Sequence, residues 1–276
     1  TFIGRSKRKR HYKKIVAMQE HALIVGCPII GLYDSGGARI QEGIHGLNIG
    51  GQIFRNNTLS SGVIPQISVI LGPCAGIAVY SPALTDFIFM TKEISNMFIT
   101  GPDVIKSVTG EEIDFKGLGG AEVHNEKSGV AHFISDKEDD CFDMIKLLLS
   151  YLPQNNLENP PHITVSDTVT RKNTKLKTAV PDDPKQVYDV KEVIQEVVDK
   201  NTFLETQPLY AQNAVTGLAR LNNNVVGIVA NQPMILAGCL DINSSNKIAS
   251  FVRNCEAFNI LIINLIDVTG YFSRVD

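Results

Sequence analysis

The sequence contains no tryptophan, few aromatic residues and no long apolar run. Aromatic side chains make up 7% of the 276 residues, and the formal net charge is -3. No apolar stretch approaches the roughly 18 residues of a membrane-spanning helix, so we expect no membrane association, and the charge gives no overall attraction to nucleic acid. The five cysteines are scattered without paired spacing, which disfavours a disulfide framework or a metal site and favours a reducing compartment.

The remaining composition is that of a globular protein. Hydrophobic residues make up 43% and charged residues 20% of the chain, which is enough core for one large or two smaller domains. Short apolar segments typical of strands alternate with segments of helical periodicity, and this alternation predicts an α/β fold. The predicted strands are 28–33, 65–71 and 86–91, and the predicted helices are 12–25, 40–59, 75–84 and 139–152.

Two glycine-rich loops, each preceded by an apolar run, are the most informative feature. The apolar run 29–33 leads into residues 34–43 (DSGGARIQEG), and the run 67–71 leads into residues 72–82 (GPCAGIAVYSP). Each pattern predicts a buried strand that ends in a tight turn and starts a helix.

Such turns have a specific chemical use. Small residues allow a ligand to approach the backbone closely, and the first N–H groups of a helix have no partner inside the helix. Two turns side by side are therefore suited to hold a developing oxyanion and an extended acyl ligand. The alternative is that both are ordinary connections between strand and helix, because a single glycine-rich loop is a weak signal.

The sequence of both loops resembles the carboxyltransferase subunit of biotin-dependent acyl-CoA carboxylases. The resemblance runs from about Lys14 to the end of the chain and is strongest to the propionyl-CoA carboxylase β chains of that family. Several further stretches match in the same order: 98–102 (FITGP), 118–121 (LGGA), 128–131 (SGVA), 231–233 (NQP) and 238–242 (GCLDI).

The resemblance implies a crotonase/ClpP-like ββα superhelix in two related domains, the second incomplete. We expect an N-terminal domain over 1–153, a linker over 154–184 and a partial C-terminal domain over 185–276. An internal similarity supports duplication, since aligning Lys14 with Lys247 places Asp34 on Asp267. Coincidence between two helix–strand units is the alternative. The chain ends soon after Asp267, so we expect a chain truncated at both ends relative to the family.

The resemblance also implies an activity. It is the transfer of CO2 from carboxybiotin to the α-carbon of propionyl-CoA or a related short acyl-CoA, within an ATP-dependent holoenzyme of the ligase class. Biotin is carried by a partner, the biotin carboxylase and biotin carrier α subunit, and acyl-CoA is the substrate. The subunits form a hexamer-like homo-oligomeric core. The implied location is the cytoplasm in bacteria, which we prefer, or the mitochondrial matrix in eukaryotes.

The resemblance places the reaction on backbone groups. We expect the N–H groups of Gly76 and Ile77 to stabilise the thioester oxygen. We expect the remaining small residues of the two loops to bind the acyl-CoA. These are Gly36, Gly37, Ala38, Gly72, Cys74 and Ala75.

Two side-chain expectations accompany this site. The family usually has glycine where this chain has Ile77, and a β-branched side chain there is expected to crowd the acyl group and to resist a positive φ. Asp34 and Arg39 are expected to form a buried structural pair rather than to act in catalysis.

The N-terminus departs from the family pattern. Where the family usually has Gly-Gly-Ser-Leu-Ser, this chain has GRSK at 4–7, followed by a basic cluster over 5–14. A solvated start of a helix, contact with the phosphates of CoA, and nucleic-acid binding are the alternatives. The last is disfavoured because no aromatic residues are interleaved with the cations.

Three other functions compete with the carboxylase subunit. A biotin-dependent decarboxylase or transcarboxylase subunit shares the same motifs. A non-catalytic remnant is favoured by the basic cluster, Ile77 and the end of the chain. Because of Ile77 and the end of the chain, we also expect the isolated chain to have little carboxyl transfer. An unrelated crotonase-type CoA enzyme is disfavoured because the loops carry no evident pair of catalytic glutamates.

Overall fold

The computed structural model describes residues 5–165, 167–168, 170–183 and 185–272. The chain forms two compact units, Thr1–Lys146 with Gln154–Asn156, and Leu147–Pro153 with Leu157–Asp276. Among the described residues, no helix is both long and apolar enough to cross a membrane. The division into two related domains joined by a linker over 154–184 stays a prediction.

Unit 1 is a parallel sheet covered by helices. The sheet order is β1-β2-β3-β5, with β4 paired to the carboxyl end of β2. Its strands are β1 (Ile29–Ser35), β2 (Gln66–Ala75), β3 (Phe87–Thr91), β4 (Asn96–Phe98) and β5 (Phe133–Ser135). Its helices are α1 (Lys9–Val25), α2 (Ile44–Ser60), α3 (Ile77–Ala83), α4 (Pro102–Thr109), α5 (Phe115–Gly119), α6 (Ala121–Glu126) and α7 (Glu138–Leu149), the last running across the division between the units.

The apolar runs become central strands because both of their faces are buried. All of β3 and the first five residues of β2 are buried, which is why they read as continuous apolar runs. The register pairs Ile29 with Gln66 and continues to Tyr33 with Ile70. The core cluster against this sheet contains Ile70, Cys74, Ala78, Val79, Ile88, Met90, Met97, Ala121 and Ala131.

A buried polar network fixes the two helices that flank β2. The Ser81 hydroxyl donates to Asn57 Oδ1 at 2.9 Å, and Asn57 Nδ2 donates to Gln66 Oε1 at 3.0 Å. The Tyr33 hydroxyl lies 3.2 Å from Ser81 Oγ. Since these residues come from β1, α2, β2 and α3, the satisfied network sets the positions of α2 and α3 on the sheet.

Unit 2 is a smaller mixed sheet in the order β6-β7-β8-β9. The first three strands are antiparallel, and β9 is parallel to β8. The strands are β6 (Leu204–Thr206), β7 (Ala214–Leu221), β8 (Asn224–Asn231) and β9 (Leu261–Leu265). The helices are α8 (Leu176–Ala179), α9 (Val190–Val197) and α10 (Ile242–Ala257), of which α10 connects β8 to β9.

The segments that align in sequence have the same local order and different environments. Helix α1 is followed by β1, and α10 is followed by β9. Lys14 on α1 is exposed, whereas Lys247 on α10 is 2% exposed and donates to the carbonyl oxygens of Gln207, Tyr210 and Ala214 at 2.8–2.9 Å. The buried ammonium therefore ties the connection between β6 and β7 to α10.

Asp86 gives unit 1 a specific pH dependence. Its carboxylate is buried and accepts the Gln66 N–H at 2.8 Å, and burial raises the pKa of Asp86 to about 7. The folded state therefore binds more protons than the unfolded state between about pH 4 and 7, so its stability falls as pH rises through that window. Between pH 4 and 8, we expect the unfolding free energy of the wild-type protein to fall by up to about 4 kcal/mol more than that of Asp86→Asn, which lacks the titrating carboxyl group.

Chemical denaturation of both proteins at a series of pH values measures this difference. The comparison is needed because burial lowers the pKa of His132 to about 4, which gives a slope of opposite sign between pH 4 and 6.5. Asp140→Asn, on the exposed start of α7, is the matched control and should leave the wild-type slope unchanged. Parallel curves for wild type and Asp86→Asn would contradict the prediction.

Candidate functional site

The two glycine-rich segments lie side by side at the carboxyl ends of β1 and β2. Ser35 pairs with Cys74 after a register shift that follows Tyr33. Gly37 has φ +92°, and a Cβ atom on it would lie 2.7 Å from the Ala75 carbonyl oxygen and 3.8 Å from the Ile77 backbone nitrogen. Only glycine permits both this conformation and this approach, so the two segments meet at Gly37.

The second segment differs from the predicted turn. Strand β2 continues to Ala75, where the prediction ended it at residue 71, because β4 pairs with its last residues up to Ala75 with Phe98. The change of direction falls on Gly76, which has φ +54°. Its N–H donates to the Phe98 carbonyl oxygen at 3.2 Å. Of the two predicted oxyanion donors, Gly76 is therefore engaged in the sheet.

The backbone N–H of Ile77 is free of hydrogen bonds within the described ranges, and its side chain packs against helix α2. Ile77 is the first residue of α3. A Cβ atom on Gly50 would lie 1.9 Å from Ile77 Cδ1, so the side chain packs on α2 beside Ile49 and Ile53. The expected strain does not arise, because the positive φ falls on Gly76. The donor is kept and the branched side chain is accommodated by glycine on α2.

The other predicted contact residues divide by exposure. Gly36 is exposed, and Ala38 and Ala75 are partly buried. Gly72 is buried beside Asp34, whose Oδ1 would lie 2.4 Å from a Cβ atom there. Cys74 is fully buried in the core, and burial raises the pKa of its thiol to about 11. Its side chain is a neutral core group and its backbone is paired with β1 and β4, so Cys74 offers no exposed atom to a ligand.

The expected pair of Asp34 with Arg39 is wrong. Asp34 forms its ion pair with Arg5, with Oδ1 of Asp34 2.5 Å from Nη1 of Arg5, and both side chains are more than a third exposed. Arg39 is buried, and its Nε lies 3.4 Å from Ser6 Oγ. The cause is the segment before α1, which runs alongside the first loop and supplies Asp34 with a different cation.

Three residues that hold the loops were not predicted. The Lys7 backbone N–H donates to the Gly37 carbonyl oxygen at 2.8 Å, and the Lys7 carbonyl oxygen accepts the Arg39 backbone N–H at 3.1 Å. The buried Ser35 hydroxyl accepts the Gly37 N–H at 3.2 Å. The third residue is Phe98, whose carbonyl oxygen accepts the Gly76 N–H. Lys7, Ser35 and Phe98 together hold both loops in place without a ligand. Ser35 and Phe98 lie in the stretches of family resemblance, whereas Lys7 lies where the chain departs from it.

A cavity of about 470 Å³ lies beside these loops. Ile77, Leu32 and Ile53 contribute apolar wall, and Tyr33 and Lys7 contribute polar groups. Burial lowers the pKa of Lys7, whose Nζ lies 5.1 Å from the centre of the Tyr33 ring. The volume is in the range of small-molecule sites, and of the predicted site residues only Ile77 is among those that line it.

The family of this chain is established by comparison with known proteins. The sequence model of the carboxyl transferase domain family matches residues 1–274 of this chain. The chain belongs to the carboxyl transferase domain family.

Its relatives act in more than one reaction. The chain is 54% identical to methylmalonyl-CoA decarboxylase subunit alpha of Veillonella parvula, over 98% of this chain and 53% of that protein. It is 51% identical to the propionyl-CoA carboxylase β chain of Saccharopolyspora erythraea, over 98% of this chain and 51% of that protein. The chain therefore spans about half the length of these relatives.

A solved structure has the same fold. A crystal structure of transcarboxylase 12S with hydrolysed methylmalonyl-coenzyme A bound matches with a TM-score of 0.95 and 51% identity, over 98% of this chain and 53% of that chain. The α/β prediction and the resemblance to carboxyltransferases of biotin-dependent enzymes are confirmed. The roles of the individual loop residues stay predictions.

Proposed function

We propose that this chain forms the acyl-CoA side of a biotin-dependent carboxyltransferase that acts on propionyl-CoA and its carboxylated product. The observation that carries the proposal is the contact of the two glycine-rich segments at Gly37, beside the unbonded N–H of Ile77. Two such turns suit an acyl thioester, and the two relatives are named for methylmalonyl-CoA and propionyl-CoA.

The chain's own groups would act on the thioester oxygen. When the α-proton leaves, negative charge develops on that oxygen, and the Ile77 N–H is positioned to donate to it. The donor does not move as the charge forms, because Gly76 is held by β4 and Gly37 by Ser35 and Lys7. Gly36, Ala38 and Ala75 would contribute accessible backbone that a ligand can approach closely, and the buried Gly72 and Cys74 would support the loop from the core. Carboxybiotin, carried by a partner subunit, would supply the CO2.

The direction of the reaction is a second question, on which the relatives differ. Methylmalonyl-CoA decarboxylase subunit alpha and propionyl-CoA carboxylase β chains match the sequence almost equally well. Carboxylation and decarboxylation share the same enolate, so the same donor serves both. We propose the carboxylase direction first and the decarboxylase or transcarboxylase direction as the alternative, the choice being made by the partner subunits.

The assembly follows from the same comparison. The transcarboxylase 12S structure describes a hexamer, and we propose a homo-oligomeric core of that kind, served by a biotin carboxylase and biotin carrier α subunit. The named relatives are bacterial, which supports the bacterial cytoplasm as its location. A duplicated crotonase-like architecture remains part of the proposal.

Infrared spectroscopy of propionyl-CoA labelled with ¹³C at the thioester carbonyl tests the site directly. A hydrogen bond from Ile77 should move the carbonyl band of the bound ligand to lower frequency than in water. Decarboxylation of methylmalonyl-CoA in the presence of free biotin then measures turnover. A bound ligand with an unshifted band would show that the thioester oxygen meets no such donor, and the proposed site would be wrong.

A further inference from the structure

A basic groove lies on unit 1 beside the first glycine-rich loop. Its volume is about 680 Å³, and we call it the basic groove. The residues that line it come from the start of α1 and from the segment that follows the loop: Arg8, Lys9, Arg10, Lys13, Gln41, Glu42 and His45. Four side chains are permanently cationic at neutral pH and one is a carboxylate.

The cations of the groove have no acidic partners within it. Across the described residues, no carboxylate lies within 4.0 Å of the charged groups of Arg8, Lys9, Arg10 or Lys13. Glu42 is engaged instead by the backbone, because its Oε2 accepts the Lys9 N–H at 2.7 Å. All four cationic side chains are exposed and available to a ligand.

This arrangement opposes the stability of α1. Lys9 and Lys13 are four residues apart, Arg10 and Lys13 are three apart, and such like charges repel on one helix face. Cations near a helix N-terminus also oppose the helix dipole, and the first turn of α1 contains no acidic residue to compensate. A polyvalent anion in the groove would offset both the repulsion between the cations and their unfavourable interaction with the helix dipole.

We propose that the basic groove binds the phosphate groups of a phosphorylated adenosine ligand. Guanidinium and ammonium groups one helical turn apart, about 6 Å along α1, suit two or more phosphates better than a single carboxylate. The groove begins next to Lys7, whose backbone is bonded to Gly37 and Arg39. Hence the 3′-phosphoadenosine diphosphate end of coenzyme A is the favoured source, an assignment that rests on the proposed function, and a free adenine nucleotide is the other.

Titration calorimetry at low salt with four probes separates these possibilities. The probes are propionyl-CoA, propionyl-pantetheine, 3′-phosphoadenosine 5′-phosphate and ADP. The test variant is Arg10→Gln with Lys13→Gln, and the matched control with the same change in charge is Lys127→Gln with Lys137→Gln, both exposed on unit 1. Glutamine favours helix and the test variant loses a repulsion, so its melting temperature should not fall.

We expect the test variant to bind propionyl-CoA and 3′-phosphoadenosine 5′-phosphate about tenfold or more weakly than wild type. Propionyl-pantetheine, which has no phosphate, should bind the test variant and wild type equally, and the control variant should match wild type throughout. Wild-type affinity for the two phosphorylated probes should also fall as salt is raised. If ADP binds, but propionyl-CoA binds no more tightly than propionyl-pantetheine, the groove would be assigned to a free nucleotide.

Failure of this proposal and failure of the proposed function give different results. If propionyl-pantetheine binds but the phosphorylated probes bind wild type and test variant alike, the basic groove is not a phosphate site. If propionyl-pantetheine does not bind while 3′-phosphoadenosine 5′-phosphate binds and loses affinity in the test variant, the groove stands and the thioester site falls. If no probe binds wild type, both are wrong.

Discussion

Ile77→Pro is expected to slow methylmalonyl-CoA decarboxylation by about 100- to 1,000-fold, because it deletes the backbone donor that we assign to the thioester oxygen. Proline is tolerated at the first residue of a helix, where its missing N–H has no helical partner, and Ile77 occupies that position in α3. The loss should therefore be one of chemistry rather than of folding. The thioester carbonyl band of bound propionyl-CoA should return toward its frequency in water.

Ile77→Ala is the matched control for this variant. It also removes the side chain that packs on Gly50, but it keeps the N–H. We expect its turnover to stay within a few-fold of wild type and its carbonyl band to stay shifted. Equal turnover of the proline and alanine variants would show that the donor is not Ile77.

Lys247→Met is expected to lower the free energy of unfolding of unit 2 by about 2–4 kcal/mol. The substitution fills a similar volume but leaves the carbonyl groups of Gln207, Tyr210 and Ala214 without the ammonium that now binds all three. Buried acceptors that lose a partner keep their full desolvation cost. The connection between β6 and β7 should loosen first, since these carbonyls flank it.

Lys14→Met tests whether the effect depends on burial. Lys14 is the aligned counterpart on α1 and is exposed, so its replacement should change stability by less than about 0.5 kcal/mol. The chain has no tryptophan, so urea unfolding is best followed by circular dichroism, with hydrogen exchange of residues 207–214 as a local probe. A loss below about 1 kcal/mol for Lys247→Met would contradict the prediction.

The sequence predicted the longer elements of unit 1 because proline, glycine or charged residues mark their limits, whereas the short elements β4, α4, α5, α6 and β5 were not predicted. Predicted helix 12–25 is α1 (Lys9–Val25), and predicted strand 86–91 is β3 (Phe87–Thr91). The predicted helix 40–59 begins instead with a short 3₁₀ turn, Ile40–Glu42, and α2 starts after Gly43, whose φ is +53°. Such a break is invisible to periodicity, since Gly43 is followed by residues that fit a helix.

The hairpin of β7 and β8 was missed although it carries a local signal. Asn222 and Asn223 both have positive φ and form the two-residue turn between Leu221 and Asn224. Consecutive asparagines between apolar runs favour this type of turn. The carboxylate of Asp199 accepts both of their N–H groups, at 3.0 and 2.7 Å. That long-range contact has no sequence signature, so its contribution could not be predicted.

The candidate site was predicted in part because its chemistry lies in backbone atoms. The glycine pattern located both loops, but not which N–H group remains unbonded. That outcome depends on β4, a three-residue strand that is too short to show a sequence pattern. The carbonyl oxygen of Phe98 in this strand accepts the Gly76 N–H. The partner of Asp34 was mispredicted for a related reason, because the segment before α1 has no periodicity that would place Arg5 beside the loop.

The position of the unbonded amide has a consequence for how the sequence of this site can drift. A main-chain donor belongs to every amino acid except proline, so residue 77 can vary in size and polarity while the hydrogen-bonding group persists. The intolerant position is Gly37, which faces the Ala75 carbonyl oxygen, whereas Gly50 is restricted only by the Ile77 side chain that it accommodates. Neutral variation should therefore accumulate at residue 77 in concert with residue 50, and a larger side chain at either position should select for a smaller one at the other.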